Sequence, residues 1–533
     1  MFSRVPSRPL AAMGLIALAL GLAGRAAATA SGAAAFDVIL RRGTILDGTG
    51  RPRFVGDVGI RGGTIAAVGD LNGAPTTVEI DVTGLFVTPG FVNIHSHATP
   101  EGLLRAENML TQGVTTEILN ADGGGPSDIE AQLRGLARAG LALNVGANIG
   151  FNTIWAQVMG PSDARPTPEA IERMRGMVRH GLEQGAWGVS SGLDYKPGYF
   201  ATADEVVQIV SVAKPWRTVF TNHDRLTPES GYSSRAGIAE TIAIGERSGL
   251  SPVITHMKAQ GMEQKTAPAL LEMIDAATKR GAGAAADVYP YLAGQSGLAA
   301  LIVPGWALDG GREAMVLRFK DPQSRARIVA EAEKAMNARF GGPQGVYATG
   351  HAIELVDAMR GFGGVSAGEA LIRLLGKEDG GAILRFGVES DLVAILRHPT
   401  ASVACDCGAV AGRSTHPRYY GSFPRVLGRY VREQGIMSFE EAIRKMSGLP
   451  AATIGMADRG RLAPGQAADI TVFDPVTIMD YATFDAPTER STGIRHVLVN
   501  GQIALRDGVL TDKHAGLPLF RPAPSDPIPG ARE

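Results

Sequence analysis

Cysteine is nearly absent: the 533 residues include only Cys405 and Cys407. Their one-residue spacing makes a mutual disulfide geometrically awkward, so the expectation is a chain without covalent staples. Aromatic residues are also scarce, at 6%. Neither sign of charge prevails, because 52 basic residues face 53 acidic ones. That balance provides no electrostatic footprint for nucleic acid and no polybasic patch for an anionic membrane. A small-molecule substrate is the expected partner, and a homo-oligomer stays open. The apolar run from Leu10 to about Leu22 falls short of the ~20 residues a membrane span needs.

What is abundant is glycine, 69 residues, together with alanine, a composition suited to close helix-on-sheet packing and many short loops. The length accommodates one large barrel plus a smaller domain. Arg4 and Arg8 precede the N-terminal apolar run, and Ala26, Ala27, Ala28 and Ala30 follow it. This is the pattern of a signal peptide over residues 1–30, with a mature chain that is periplasmic or secreted and not inserted in the membrane.

From Phe36 to Val87 short β-rich runs alternate with turns, and the stretch from Gly460 to Gly508 has the same character. The two ends read as halves of one small β-sandwich domain, residues 31–88 and 457–533. Between them, over residues 89–456, strand-like apolar runs alternate with helical periods, the mark of βα units on a parallel sheet. Eight strand candidates fall at 86–95, 114–120, 142–149, 186–192, 217–223, 251–257, 283–289 and 402–407. The fold class expected is therefore α/β, a (β/α)8 TIM barrel. Helices are expected over 166–185 and 266–281. The gap from about 297 to 400 is too long for one crossover and reads as an inserted, lid-like subdomain.

Barrel enzymes carry their chemistry at the C-terminal ends of the strands. His95 and His97 end strand one, Asn120 and Asp122 follow strand two, His223 ends strand five, His256 strand six, and Asp406 lies on strand eight. Side chains two apart on a strand share a face, so His95 and His97 are presented together. Four imidazoles and a carboxylate on one rim suit zinc or a similar divalent ion. His180, His351, His398, His496 and His514 lie in helical, inserted or β-domain contexts and read as ordinary polar residues. Asp287, in AADVYPY, reads equally well as a structural carboxylate and as a pocket residue.

The segments PGFVNIHSH, GVTTEIL, SSGLDYKPG, TNHDR, ITHMK, DVYPYLAG, CDCG, HPRYYGSFPRVLGRYV and GRLAPGQAADITVFDP resemble the amidohydrolase superfamily, and within it the N-acyl-D-amino-acid deacylase (D-aminoacylase) branch. The resemblance runs in order over nearly the whole chain after residue 30. It implies a catalytic barrel with His95, His97, His223 and His256 as ligands of one or two metal ions, most simply Zn2+. It also implies Asp406 as metal-touching general acid/base, and Lys258, Tyr289 and Arg418 as binders of a substrate carboxylate. The expected reaction is hydrolysis of a C–N amide bond by metal-activated water, such as deacylation of an N-acyl-D-amino acid. Asp406 suits both proton transfers when its pKa lies near the operating pH.

Three departures surround the expected metal. Where the family usually has Asn-Cys-Gly after strand two, this chain has Asn120-Ala121-Asp122-Gly123; the usual acidic residue after HxH is replaced by Ala98 and Thr99; and strand eight reads Cys405-Asp406-Cys407. Asp122 then either takes the thiolate's place as a ligand or simply makes a turn before glycine. Two rival functions remain at this point: a dipeptidase or cyclic-amide hydrolase with a carboxylated lysine, for which Lys196 is the candidate, and a periplasmic metal or ligand carrier without catalysis.

Overall fold

The computed structural model describes residues 35–524, position 413 excepted. The signal peptide expected over residues 1–30 lies outside the described residues. Among the described residues no helix is long and apolar enough to cross a membrane.

Both chain ends build one β-domain. Strands Phe36–Ile45, Phe54–Arg61, Thr64–Gly69, Thr76–Asp81 and Phe86–Pro89 join Ile470–Phe473, Ile494–Val499, Gln502–Arg506 and Val509–Leu510 in a nine-stranded sheet. Phe86–Pro89 is the seam, antiparallel to Ile470–Phe473. There Thr88 Oγ1 donates to the Thr471 carbonyl at 3.0 Å across 383 residues of sequence. Val38, Leu40, Ile45, Val58, Ile470 and Leu498 fill a core of their own, the inward set of alternating strand positions.

The barrel is made of two parallel arcs. One pairs Phe91–Asn93, Val114–Leu119 and Asn144–Ala147. The other runs from Ile149–Gly150 through Gly188–Gly192, Val219–His223, Ser251–Ile254 and Ala285–Val288 to Ala401–Val403. Trp187 N donates to Ala147 O and His97 N to Cys407 O, each at 2.9 Å, and these bonds join the arcs at their two seams. Both expected helices form: Pro168–Glu183, where Thr167 accepts from the Ala170 amide as N-cap, and Ala267–Lys279. The strand expected at 86–95 divides at Gly90, its first half serving the β-domain and its second the barrel.

The inserted segment has its own antiparallel sheet, Ala293–Gly297, Gly381–Arg385, Val346–Ala348 and Ile353–Glu354, and its own core around Ile328, Met336 and Leu371. Its sheet ends at Arg385, and the next helix, Glu389–Arg397, packs against the barrel helix Ala267–Lys279. The segment therefore stands over the barrel mouth on the side of strands five to seven, where Phe340, Leu384 and Phe386 face His223 and His256.

The disulfide expectation is overturned: Cys405 and Cys407 are bonded to each other, with Cα atoms 4.9 Å apart. The reason lies in the residue between them. Asp406 has φ 47°, a left-handed conformation that breaks the extended run after Val403 and folds the two cysteines toward one another, inside the Cα spacing a disulfide requires.

Candidate metal centre

Every barrel strand end expected to bear a ligand delivers it to one place. His95 and His97 emerge just past the strand Phe91–Asn93, His223 closes Val219–His223, and His256 follows Ser251–Ile254. Asp122 sits in the short helical turn Ala121–Gly123 with φ 53°. Gly123 keeps that turn tight, because a Cβ there would lie 2.2 Å from Asn152 Oδ1. Asn120, Asp122, His256 and Asp406 all hold positive φ. Such conformations cost about 1–3 kcal/mol each and cluster where function demands a particular aim.

Two groups of candidate ligands result: His95, His97, Asp122 and Asp406, and then Asp122, His223 and His256, each with ligand atoms within 4.8 Å of one another. Asp122 belongs to both. Its Oδ1 lies 3.4 Å from His95 Nε2 and 3.8 Å from His256 Nε2, and its Oδ2 lies 3.6 Å from His97 Nε2 and 3.7 Å from His223 Nδ1. Asp406 Oδ1 is 3.2 Å from His97 Nε2 and 3.5 Å from His95 Nε2. Lys196 does not stand between the groups; its ammonium lies over the Tyr199 ring at 4.2 Å, and burial lowers its pKa to about 8.

The residues fit a divalent cation. Both ring nitrogens of His95, His223 Nδ1 and Asp122 Oδ1 are buried with no hydrogen-bond partner, an arrangement that costs free energy unless a ligand satisfies it. Burial disfavours a charged His95, yet Asp122 and Asp287 draw its pKa well above the ordinary imidazole value. Burial likewise opposes ionised Asp122, but His95 and the neighbouring imidazoles hold it well below the carboxylate range. The negative charge of Asp122 that favours a proton on His95 favours a metal cation at the same lone pairs.

Asp287 resolves as an orienting carboxylate. Its Oδ1 accepts from the His256 amide at 2.7 Å and its Oδ2 lies 3.6 Å from His95 Nδ1. Asp194 faces His223, with Oδ2 3.8 Å from Nε2, and is itself held by Arg339 Nη2 at 2.5 Å. Asp194 had a signal, since it lies in SSGLDYKPG beside strand four. Arg339 had none, being one of several arginines on the inserted helix Pro322–Phe340. Glu117, in the middle of strand two, accepts from the Ala409 amide at 3.1 Å and from Asn93 Nδ2 at 3.3 Å, and so props the loop that carries Asp406. A lone acid inside the apolar run GVTTEIL was its signal.

The three expected carboxylate binders gather beside Asp406. Arg418 Nη1 donates to Asp406 Oδ2 at 2.5 Å, the Arg418 guanidinium lies 5.1 Å from the Tyr289 ring centre, and Lys258 Nζ is 3.1 Å from His256 Nδ1. Arg418 is 3% exposed, so it is not a surface charge. Burial lowers the Lys258 pKa to about 8 against the pull of Asp406 and Asp122. Burial would raise the Asp406 carboxyl, but Arg418 and the imidazoles hold it well below the carboxylate range. It does not lie near neutral pH in this arrangement, because the guanidinium is in direct contact.

Residues 78–505 match the amidohydrolase family model. D-aminoacylase of Alcaligenes xylosoxydans xylosoxydans is 32% identical over 515 residues, 92% of this chain and 98% of that enzyme. N-acyl-D-glutamate deacylase of the same organism is 34% identical, over 87% and 93% of the two chains. Among solved structures, N-acyl-D-glutamate deacylase from Bordetella bronchiseptica, complexed with zinc and a phosphonate inhibitor, superposes with a TM-score of 0.74. It is 30% identical, and the match covers 91% of this chain and 100% of that one. A D-aminoacylase described with a binuclear metal centre gives 0.75 at 29% identity, with the same two coverages. The chain belongs to the amidohydrolase family, as a metal-dependent hydrolase on the branch that includes the D-aminoacylases.

Proposed function

We propose that the protein hydrolyses N-acyl-D-amino acids to a carboxylic acid and a free D-amino acid, with zinc as its metal. The observation that carries this reading is the juxtaposition at Asp406: one carboxylate oxygen faces His97 and His95, and the other is paired with Arg418. A single group thus links the metal ligands to a buried cation suited to a substrate carboxylate. Arg418 Nε and the Tyr289 hydroxyl are buried without a hydrogen-bond partner. Both are donors, and with Lys258 they suit a carboxylate ligand.

When bound, a divalent ion supplies Lewis-acid polarisation of the scissile carbonyl and acidifies water. The side chains do the rest. Arg418, Tyr289 and Lys258 take the α-carboxylate and fix the amide beside Asp406. Asp406, kept ionised by its neighbours, accepts the proton of the attacking water on Oδ1 and returns it to the leaving nitrogen as the C–N bond breaks. The inserted segment, through Phe386 and Leu384, excludes water from the side of His223 and His256.

A panel of N-acyl-D- and N-acyl-L-amino acids tests the reading on zinc-loaded protein. Hydrolysis of D substrates is expected, with Asp406→Asn lowering kcat by roughly two to four orders of magnitude while metal content is retained. Turnover of L substrates alone, or wild-type kinetics in the variant, would overturn it. We read residues 1–30 as an export signal and the protein as periplasmic or secreted. N-terminal sequencing of the exported chain is expected to begin near residue 29 to 31, and a start at Met1 would refute export by cleavage.

A further inference from the structure

The centre opens in two very different directions. Under the inserted segment the pocket beside His223, His256 and Tyr289 holds only about 20 Å³. On the opposite rim, between the loop after strand one and the helix Ile129–Ala139, lies a cleft of about 650 Å³ that begins at His97 and Ala121. We infer that this cleft receives the acyl group of the substrate and that the group is a long aliphatic chain; the inference rests on the deacylase reading above.

Chemistry and continuity decide the occupant. None of the lining side chains is Lys, Arg, Asp or Glu. Leu103, Leu119 and Leu136 line it, and so do Ala131, Gly135 and Ala139, spaced four apart on one face of the helix. The side-chain amides in the lining are already engaged with each other: Asn120 Nδ2 donates to Gln132 Oε1 and Gln132 Nε2 to Asn120 Oδ1, both at 2.9 Å. Ser96 Oγ accepts from the Ala98 amide at 3.1 Å. Apart from the His97 ring at its inner end, the cleft therefore offers a polar ligand little, and it offers an apolar one a volume typical of dedicated small-molecule sites. Asp406 sits between Arg418 at 2.5 Å and His97 at 3.2 Å. A substrate whose carboxylate lies at Arg418 and whose amide lies at Asp406 projects its acyl carbon chain past His97, into the cleft. The narrow pocket on the other side leaves room for only a compact amino-acid side chain.

Gly135 provides the test. A Cβ there meets nothing closer than the Arg138 guanidinium at 3.9 Å, so Gly135→Phe fills the cleft without a backbone clash, and loss of a mid-helix glycine favours the helix. The first measurement is kcat/KM for N-acyl-D-alanines from acetyl to decanoyl on zinc-loaded protein. The second is calorimetric binding of decanoate, the carboxylate product, to the wild type and to the variant. A rise of about two- to fourfold per added CH2, the scale of burying a methylene, is expected for the wild type. In Gly135→Phe the decanoyl-to-acetyl ratio collapses and decanoate binding is lost. Hydrolysis that falls with chain length, with no decanoate binding, overturns the inference while leaving the deacylase reading intact. Decanoate binding that Gly135→Phe abolishes, without hydrolysis of any D substrate, supports the apolar site and refutes the deacylase reading instead. Decanoate binding that is unchanged in the variant places the chain elsewhere and overturns the inference.

Discussion

Asp122 carries the most weight of any single side chain in the centre, since its two oxygens approach all four imidazoles. A ligand role and a turn role are compatible here. The left-handed turn before Gly123 is what aims the carboxylate inward. An anionic oxygen at the thiolate's place would make the site harder, so manganese or cobalt is expected to be accepted more readily than in a cysteine-bearing centre. Asp122→Ala is expected to lose at least one equivalent of metal after dialysis and to lower kcat by 10²-fold or more, as removal of a shared ligand should. Elemental analysis checks this, and unchanged metal content with unchanged metal preference would leave Asp122 as a turn residue only. The histidines of the centre were legible because they all fall at strand ends on one rim of the barrel. The aim of Asp122 and the bend at Asp406 were not, because both depend on single positive-φ residues that no periodicity announces.

Among the elements, the inserted segment reaches the metal centre through a buried ion pair. Arg339, 2% exposed, reaches from the helix Pro322–Phe340 to Asp194, which in turn faces His223. Breaking a buried pair from one side leaves an uncompensated charge and costs about 3–5 kcal/mol. Arg339→Met is therefore expected to lower the unfolding midpoint in denaturant and also to weaken metal retention, through a His223 that has lost its anchored carboxylate. The paired change Arg339→Met with Asp194→Leu should recover most of the stability but not the metal retention. Recovery of both would mean that Asp194 does not orient His223. Sequence periodicity locates the barrel strands to within a few residues. It does not locate the boundary at Gly90, since both halves of that strand are equally apolar and only their partners differ. Nor can it foresee Arg339, whose partner lies 145 residues away.

At the scale of the whole molecule, the seam between the first and eighth strands is closed around Glu117, whose pKa is pushed by burial from 4.5 to about 7, against the hydrogen bonds from Ala409 and Asn93. The folded state thus holds a proton that the unfolded chain releases near pH 4.5, so stability declines as pH rises from about 4.5 to 7 and is level above that. The decline attributable to this one group is on the order of 3 kcal/mol. Thermal unfolding of Glu117→Gln between pH 5 and 7.5 is expected to show a flatter profile than the wild type, with the two curves converging at the acid end. Parallel curves would assign the titration elsewhere. The two-ended β-domain was legible from the matching character of residues 36–87 and 460–508, because strand and turn signals are local. The closure of the barrel was not, because its first-to-eighth seam rests on backbone bonds between segments far apart in the sequence, such as the His97 amide with the Cys407 carbonyl.

The seam between Phe86–Pro89 and Ile470–Phe473 also sets a schedule for the chain as it is made. The N-terminal half of the β-domain leaves the ribosome first, but Thr88 must wait for Thr471, 383 residues later. At about 5–20 residues per second that delay is roughly 20 to 80 seconds. Throughout it, Phe86–Pro89 presents an unpaired strand edge with the buried positions Val87 and Thr88 uncovered, the kind of edge that templates aggregation. Completion of the β-domain therefore waits for its C-terminal strands, and that edge stays open until they arrive.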